Sequence, residues 1–79
     1  MIATFTDGVA TIDLKDASGT SYKPNALILT PQSANVFMRY NWDASTAGEL
    51  KIIAVDLNQN PVNSSLRFAY IAFTSQLNT

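Results

Sequence analysis

The side chains best suited to acid–base chemistry in this chain are six carboxylates: Asp7, Asp13, Asp16, Asp43, Glu49 and Asp56. Two of them held a few ångströms apart could serve as the acid and the nucleophile of a glycosidase. Their positions argue otherwise. Each falls at a turn or a strand end, where a short acidic side chain acts as a cap or a solvated loop charge. Histidine and cysteine are absent, so neither a Ser-His-Asp triad nor a thiolate nucleophile can be assembled. A chain of 79 residues also has little room for a closed, water-excluding cleft. A non-enzyme is expected.

The same inventory bounds metals and cofactors. Zinc sites are built mainly on Cys and His, and neither type occurs. Calcium takes oxygen ligands. Asp13-Leu14-Lys15-Asp16 and Asp56-Leu57-Asn58-Gln59-Asn60 offer some, without the spaced carboxylates of an EF-hand loop. Turn chemistry accounts for both segments, so no metal or cofactor is expected. Asn63-Ser64-Ser65 fits the glycosylation pattern and, with no secretory signal ahead of it, is read as incidental.

Binding chemistry is better represented. Tyr40, Trp42 and Tyr70 combine an apolar ring with a polar handle, the type that lines sugar sites and protein interfaces. Tyr40 and Trp42 are expected to fill the core or a subunit contact, with ligand contact as the rival assignment. Arg39 and Arg67 lie mid-strand among apolar neighbours, where an unpaired charge is expensive. They are expected either to pair with Asp56, Glu49 or an acid on an adjoining chain, or to lie on bare surface.

The elements that must position these residues are strands. No segment keeps apolar residues at helical spacing with a cap and a stop. Short apolar or alternating runs separated by turn residues recur instead. Residues 2–6 precede Asp7-Gly8, a favoured two-residue hairpin turn because both positions tolerate positive φ. Residues 9–14 alternate, with Ala10, Ile12 and Leu14 inward. A loop follows at residues 16–21, ended by Pro24-Asn25, and a short apolar strand over 26–30 stops at Pro31. Residues 34–42 place Val36, Met38, Tyr40 and Trp42 on one face and Phe37, Arg39 and Asn41 on the other. Residues 43–48 are expected to turn, 50–57 to form a buried strand, 58–61 to turn again, and 64–74 to form a long closing strand. Residues 75–79, polar apart from Leu77, are expected to fray or to cross to a neighbour. The sum is an all-β fold, a small antiparallel β-sandwich or compact barrel of about six strands, as a single domain over 1–79.

The closing strand is unusual. Leu66, Phe68, Tyr70 and Ala72 share one side, while Ala69, Ile71 and Phe73 share the other with Arg67. A strand with one wet face alternates apolar with polar; this one asks to be covered twice, once by its own domain and once by a neighbour. A domain this short buries only about 60–65% of its unfolded surface, and disulfide or transition-metal staples are ruled out by composition. Oligomerisation remains. Five Lys and Arg stand against six Asp and Glu, a formal charge of -1. The bases Lys15, Lys23, Arg39, Lys51 and Arg67 are scattered, so no stripe exists for phosphates and no nucleic-acid binding is expected. No apolar run approaches the roughly 18 residues of a membrane span, and the N-terminal residues lack a basic region followed by an apolar core. The chain is expected to fold in a cytosol, without membrane insertion.

Three segments carry a resemblance: Ala3-Thr4-Phe5-Thr6-Asp7-Gly8-Val9-Ala10-Thr11-Ile12, then Ala26-Leu27-Ile28-Leu29-Thr30-Pro31-Gln32-Ser33-Ala34, then residues 66–73. In that order they resemble the C-terminal knob modules of bacteriophage tail fibres and related virion proteins, whose fold is like that of the H-type lectins. The resemblance implies a six-stranded β-sandwich associating as a homotrimer, with the closing strand near the threefold axis and exposed loops touching receptors or glycans. One departure is that fibre tips end a long shaft, whereas this chain starts at Met1 with the domain itself. That favours a stand-alone decoration or cement protein on a capsid lattice. The expected location is the virion, assembled in the host cytoplasm, and the expected partners are its own copies and the major capsid protein or another virion protein. Phe37, Arg39, Arg67, Ala69, Ile71 and Phe73 are the expected subunit or capsid interface. Tyr40 and Trp42 are the expected contacts if a host surface glycan is bound. A receptor- or glycan-binding knob, and a small adhesion or lectin-like module, are the rivals.

Overall fold

Gly, Pro and Asx residues break this chain into short apolar runs, and each run becomes a strand. The structure is a computed structural model describing residues 1–74, so the expectation for residues 75–79 lies outside the described residues. The strands are β1 (Ile2–Thr4), β2 (Val9–Ile12), β3 (Ala26–Pro31), β4 (Val36–Thr46), β5 (Glu49–Asp56) and β6 (Ser65–Phe73), with no helix among the described residues. They form two three-stranded antiparallel sheets, ordered β1–β6–β3 and β2–β5–β4. The all-β, six-stranded sandwich reading is met.

The inner faces follow from register. In one sheet Ala10 and Tyr40 flank Ile52, Ile12 stands opposite Leu50, and Met38 opposite Ala54. In the other, Ala3 meets Leu66, Leu27 meets Ala72, and Pro31 meets Phe68. These rows close on one another with Phe5 and Leu14 to make one buried cluster. Phe68 is 1% exposed, and burying a side chain of that kind contributes roughly 1.5–3 kcal/mol.

Two local expectations need correction. Asp7 and Gly8 do form a tight turn, at φ 51° and 78°, closed by reciprocal Thr6–Val9 backbone bonds of 2.9 and 3.0 Å. Yet β1 and β2 do not pair with each other; the turn is a corner that carries the chain between sheets. β4–β5 is the hairpin of sequence neighbours, and every other connection crosses the sandwich. At this corner Gly8 N–H donates to Val62 O and Gly8 O accepts from Ala54 N–H. A Cβ there would lie 3.0 Å from both Ala54 O and Pro61 Cβ, so packing and φ both demand glycine.

The second correction concerns residues 43–48. β4 runs on to Thr46, and its register with β5 shifts between Asn41 and Thr46. Ser45 is what makes this irregularity tolerable. Its buried hydroxyl donates to Asn41 O at 2.6 Å and accepts Lys51 N–H at 2.8 Å, replacing the ladder bonds that the bulge interrupts.

Candidate functional site

The outer faces of the two sheets carry the interaction chemistry. Outside β1–β6–β3, the rows are Ile2 with Arg67, Thr30 with Ala69, Ile28 with Ile71, and Ala26 with Phe73. Ile28 is 53% exposed and Ile71 59%, side by side in the ladder. Thr4 and Ser65 hydroxyls bond to each other at 2.9 Å at one end. Arg67 is the charged side chain of these rows and lies four residues from Ile71, about 13 Å along the strand.

Outside β2–β5–β4, Phe37 stands opposite Val55, and Arg39 opposite Ile53, which pairs in turn with Val9. Phe37 is 59% exposed. Further along, Lys51 Nζ donates to Thr11 Oγ1 at 2.7 Å. The six residues expected to form one interface are therefore divided. Arg67, Ala69, Ile71 and Phe73 lie outside one sheet, with Phe73 half-buried, and Phe37 and Arg39 lie outside the other. No single flat contact can use all of them.

The arginines do not find the intramolecular partners expected of them. Asp56 pairs with Val36 and so has the inward parity of β5, opposite to Arg39. Its Oδ1 is spent on its own turn, accepting Asn58 N–H and Asn60 N–H at 2.9 Å each. Glu49 shares the face of Ile53 but lies four residues away, about 13 Å.

Tyr40 and Trp42 also separate. Tyr40 is half-buried and its hydroxyl donates to Pro24 O at 3.0 Å; burial pushes the phenol above its ordinary pKa. Trp42 is not in the core. It lies where the β4–β5 register shifts after Asn41, 48% exposed, with Lys23 Nζ 3.6 Å from its ring centroid. Ser45 takes the inward position instead. Tyr70, opposite Leu29 on the inner parity of β6, lies at the margin and is partly exposed.

Asp16, like Asp56, is engaged within its own turn. Asp16 Oδ1 accepts from Ser18 N–H, Ser18 Oγ and Thr20 N–H at 2.9, 2.6 and 3.0 Å. The Ser18 hydroxyl, with those backbone donors, holds its carboxyl below the ordinary value of 3.8. Among the described residues no three His, Cys, Asp or Glu side chains gather where a metal could sit.

Sequence reasoning overlooked Ile28 on one outer face and Val9, Ile53, Val55 and Gln59 on the other. The signal was there for Ile28: residues 26–29 are apolar at every position, the same two-sided pattern that singled out β6. Comparison of the chain with protein-family models, curated proteins and solved structures finds no match.

Proposed function

We propose that this chain is a non-enzymatic structural subunit of a phage virion, a homotrimeric decoration protein that stabilises the capsid by bridging its subunits. The virion assignment comes from the resemblance of its segments to fibre-knob modules. The observation that carries the association is the Ile28–Ile71 pair, two half-exposed isoleucines opposite each other on a sheet face. Covering such a pair removes apolar area from water at about 25 cal/mol per Å².

Area sets how strong that contact is. Nine residues along β6 and three strands across span a flat footprint of about 430 Å² at ordinary strand spacings. A standard stable interface takes about 800 Å² from each partner. A two-copy contact through this face alone is therefore weak. A trimer gives each copy two neighbours around β6, and seating on a lattice adds a further contact that raises retention through effective concentration.

Sedimentation velocity and light scattering over a concentration series test the association. The wild type is expected to gain mass toward a trimer, and Ile71→Asp to stay monomeric. A wild type at monomer mass throughout overturns the trimer, and purified virions containing none of the protein overturn the virion role. One observation favours a second reading, a receptor- or glycan-binding knob: Trp42 stands half-exposed on the β4–β5 hairpin. A glycan array without binding, together with unchanged attachment of Trp42→Ala, removes that reading.

A further inference from the structure

Four strands form the edges of the two sheets, and three of them are blunted against further pairing. β1 and β2 are three and four residues long, and β3 ends on Pro31, which has no N–H to offer. β4 differs. It pairs regularly with β5 from Val36 to Asn41 and carries neither Lys nor Pro there. The backbone groups on its outer edge follow from the ladder. Ala54, opposite Met38, donates its N–H to Gly8 O and accepts Val62 N–H, so both of its groups face away from β4. In an antiparallel ladder the opposed Met38 then also turns both groups outward, and alternation extends this to Val36 and Tyr40. Asp56, opposite Val36, agrees, since its N–H goes to Asn60 O. Among the described residues no hydrogen bond reaches the main chain of Val36, Met38 or Tyr40.

Donor and acceptor sets at three alternate residues centred on Met38 are their own complement. About a twofold axis at Met38, a second copy sets its Tyr40 against Val36, its Met38 against Met38 and its Val36 against Tyr40. All three sets then find partners. The same rotation places Phe37 of each copy opposite Arg39 of the other. Phe37 is exposed, and its ring face attracts a guanidinium. The outer side of the joined sheet stays open, so the arginine keeps water on its other side. Neighbouring axes fit less well. One at Arg39 sets arginine against arginine, and one at Tyr40 runs the match into residues 42–45, where the regular ladder is interrupted. We propose that β4 pairs antiparallel with β4 of a second copy across the axis at Met38, joining two three-stranded sheets into one of six. This contact goes beyond the trimer, because it uses the sheet that lacks β6. Five matched residues span about 17 Å, a small contact that forms at millimolar concentration or on a crowded surface and lies below what sedimentation detects.

The test is a concentration series of the ¹⁵N-labelled full chain followed by NMR. The amide signals of Val36, Met38 and Tyr40 are expected to move as the protein approaches millimolar concentration, and their hydrogen exchange to slow. Phe37→Ala should weaken that dependence roughly tenfold, since two ring–guanidinium contacts are lost. Signals that stay still overturn the proposal. So does slow exchange at these amides in dilute protein, because residues 75–79 or another part of the same copy then cover the edge. Disulfide trapping fixes the register, as the chain has no cysteine of its own. Under oxidation, Phe37→Cys mixed with Arg39→Cys should cross-link roughly tenfold faster than either variant alone. Directly opposed Cα atoms lie about 4.5 Å apart, whereas like positions lie about 7–8 Å apart, too far to bridge without movement. A mixture no faster than the single variants overturns the pairing. Repeating the series on Ile71→Asp separates it from the trimer. Movement that persists there supports the β4 contact whatever the mass of the wild type; movement lost there belongs to the β6 face and overturns it.

Discussion

On the outer face of β1–β6–β3, Arg67 lies opposite Ile2, one row in from the Thr4–Ser65 end, and the Ile28–Ile71 row lies about 13 Å away. On the outer face of β2–β5–β4, Arg39 lies one row from Phe37 and Val55, inside the apolar patch. Both faces are greasy and both carry an arginine, so composition does not separate them. Placement does. A charge two rows from the isoleucines keeps its water when a contact covers only their row. A charge in the middle loses its water on contact and must meet a carboxylate.

The sharpest way to break this contrast is to ask whether β6 really has a free outer side. Phe68→Ala is expected to cost about 3–5 kcal/mol in denaturant unfolding, while Ile71→Ala, three residues on, should stay within about 0.5 kcal/mol for the monomer. Equal costs would mean that Ile71 is packed inside one copy. Next in size, Ile71→Asp should weaken self-association by roughly thirtyfold, about 2 kcal/mol, and Arg39→Asp should leave it unchanged by sedimentation. Loss in both variants would merge the two faces into one interface.

Ser45→Ala is expected to cost about 1–3 kcal/mol, because it leaves Asn41 O and Lys51 N–H without their partner. The disturbance should be confined to the β2–β5–β4 sheet: faster hydrogen exchange at the Lys51 amide, unaltered self-association. Lys23→Ala should cost about 0.5–1 kcal/mol and change the emission of Trp42, the only tryptophan. The smallest effect is acidic. Because the Asp16 carboxyl is held below 3.8, its contribution to stability is complete above that value and is lost as pH falls through the lower folded-state value. Thermal melts of Asp16→Asn should show a slightly flatter acid limb, with neither outer face affected.

Much of this architecture is legible along the chain. Alternation placed Ala10, Ile12 and Leu14 inward, Asp7-Gly8 at a tight turn, and apolar side chains on both sides of β6, all of which the structure bears out. These are local signals with a period of two or a demand for positive φ. The candidate site was legible only in part. Local pattern groups Arg39 and Phe37 with Ile71, because nothing local says that β4 and β6 belong to different sheets. Strict alternation puts Trp42 on the face of Tyr40, as core or subunit contact with ligand contact as the rival, and that alternation is interrupted where the Ser45 hydroxyl bridges Asn41 and Lys51.

By itself the sequence determined that the chain is strands joined by tight turns, without disulfides or histidine chemistry, and with more apolar strand surface than one wet-faced sheet can carry. Only the tertiary structure decided that β1 leaves β2 for β6 and that the exposed residues split into two faces. It also decided that Asp56 is turned away from Arg39. The reason is range: alternation and turn preference act over two to four residues, whereas sheet membership is set by pairings such as Ala3 with Leu66 that join opposite ends of the chain.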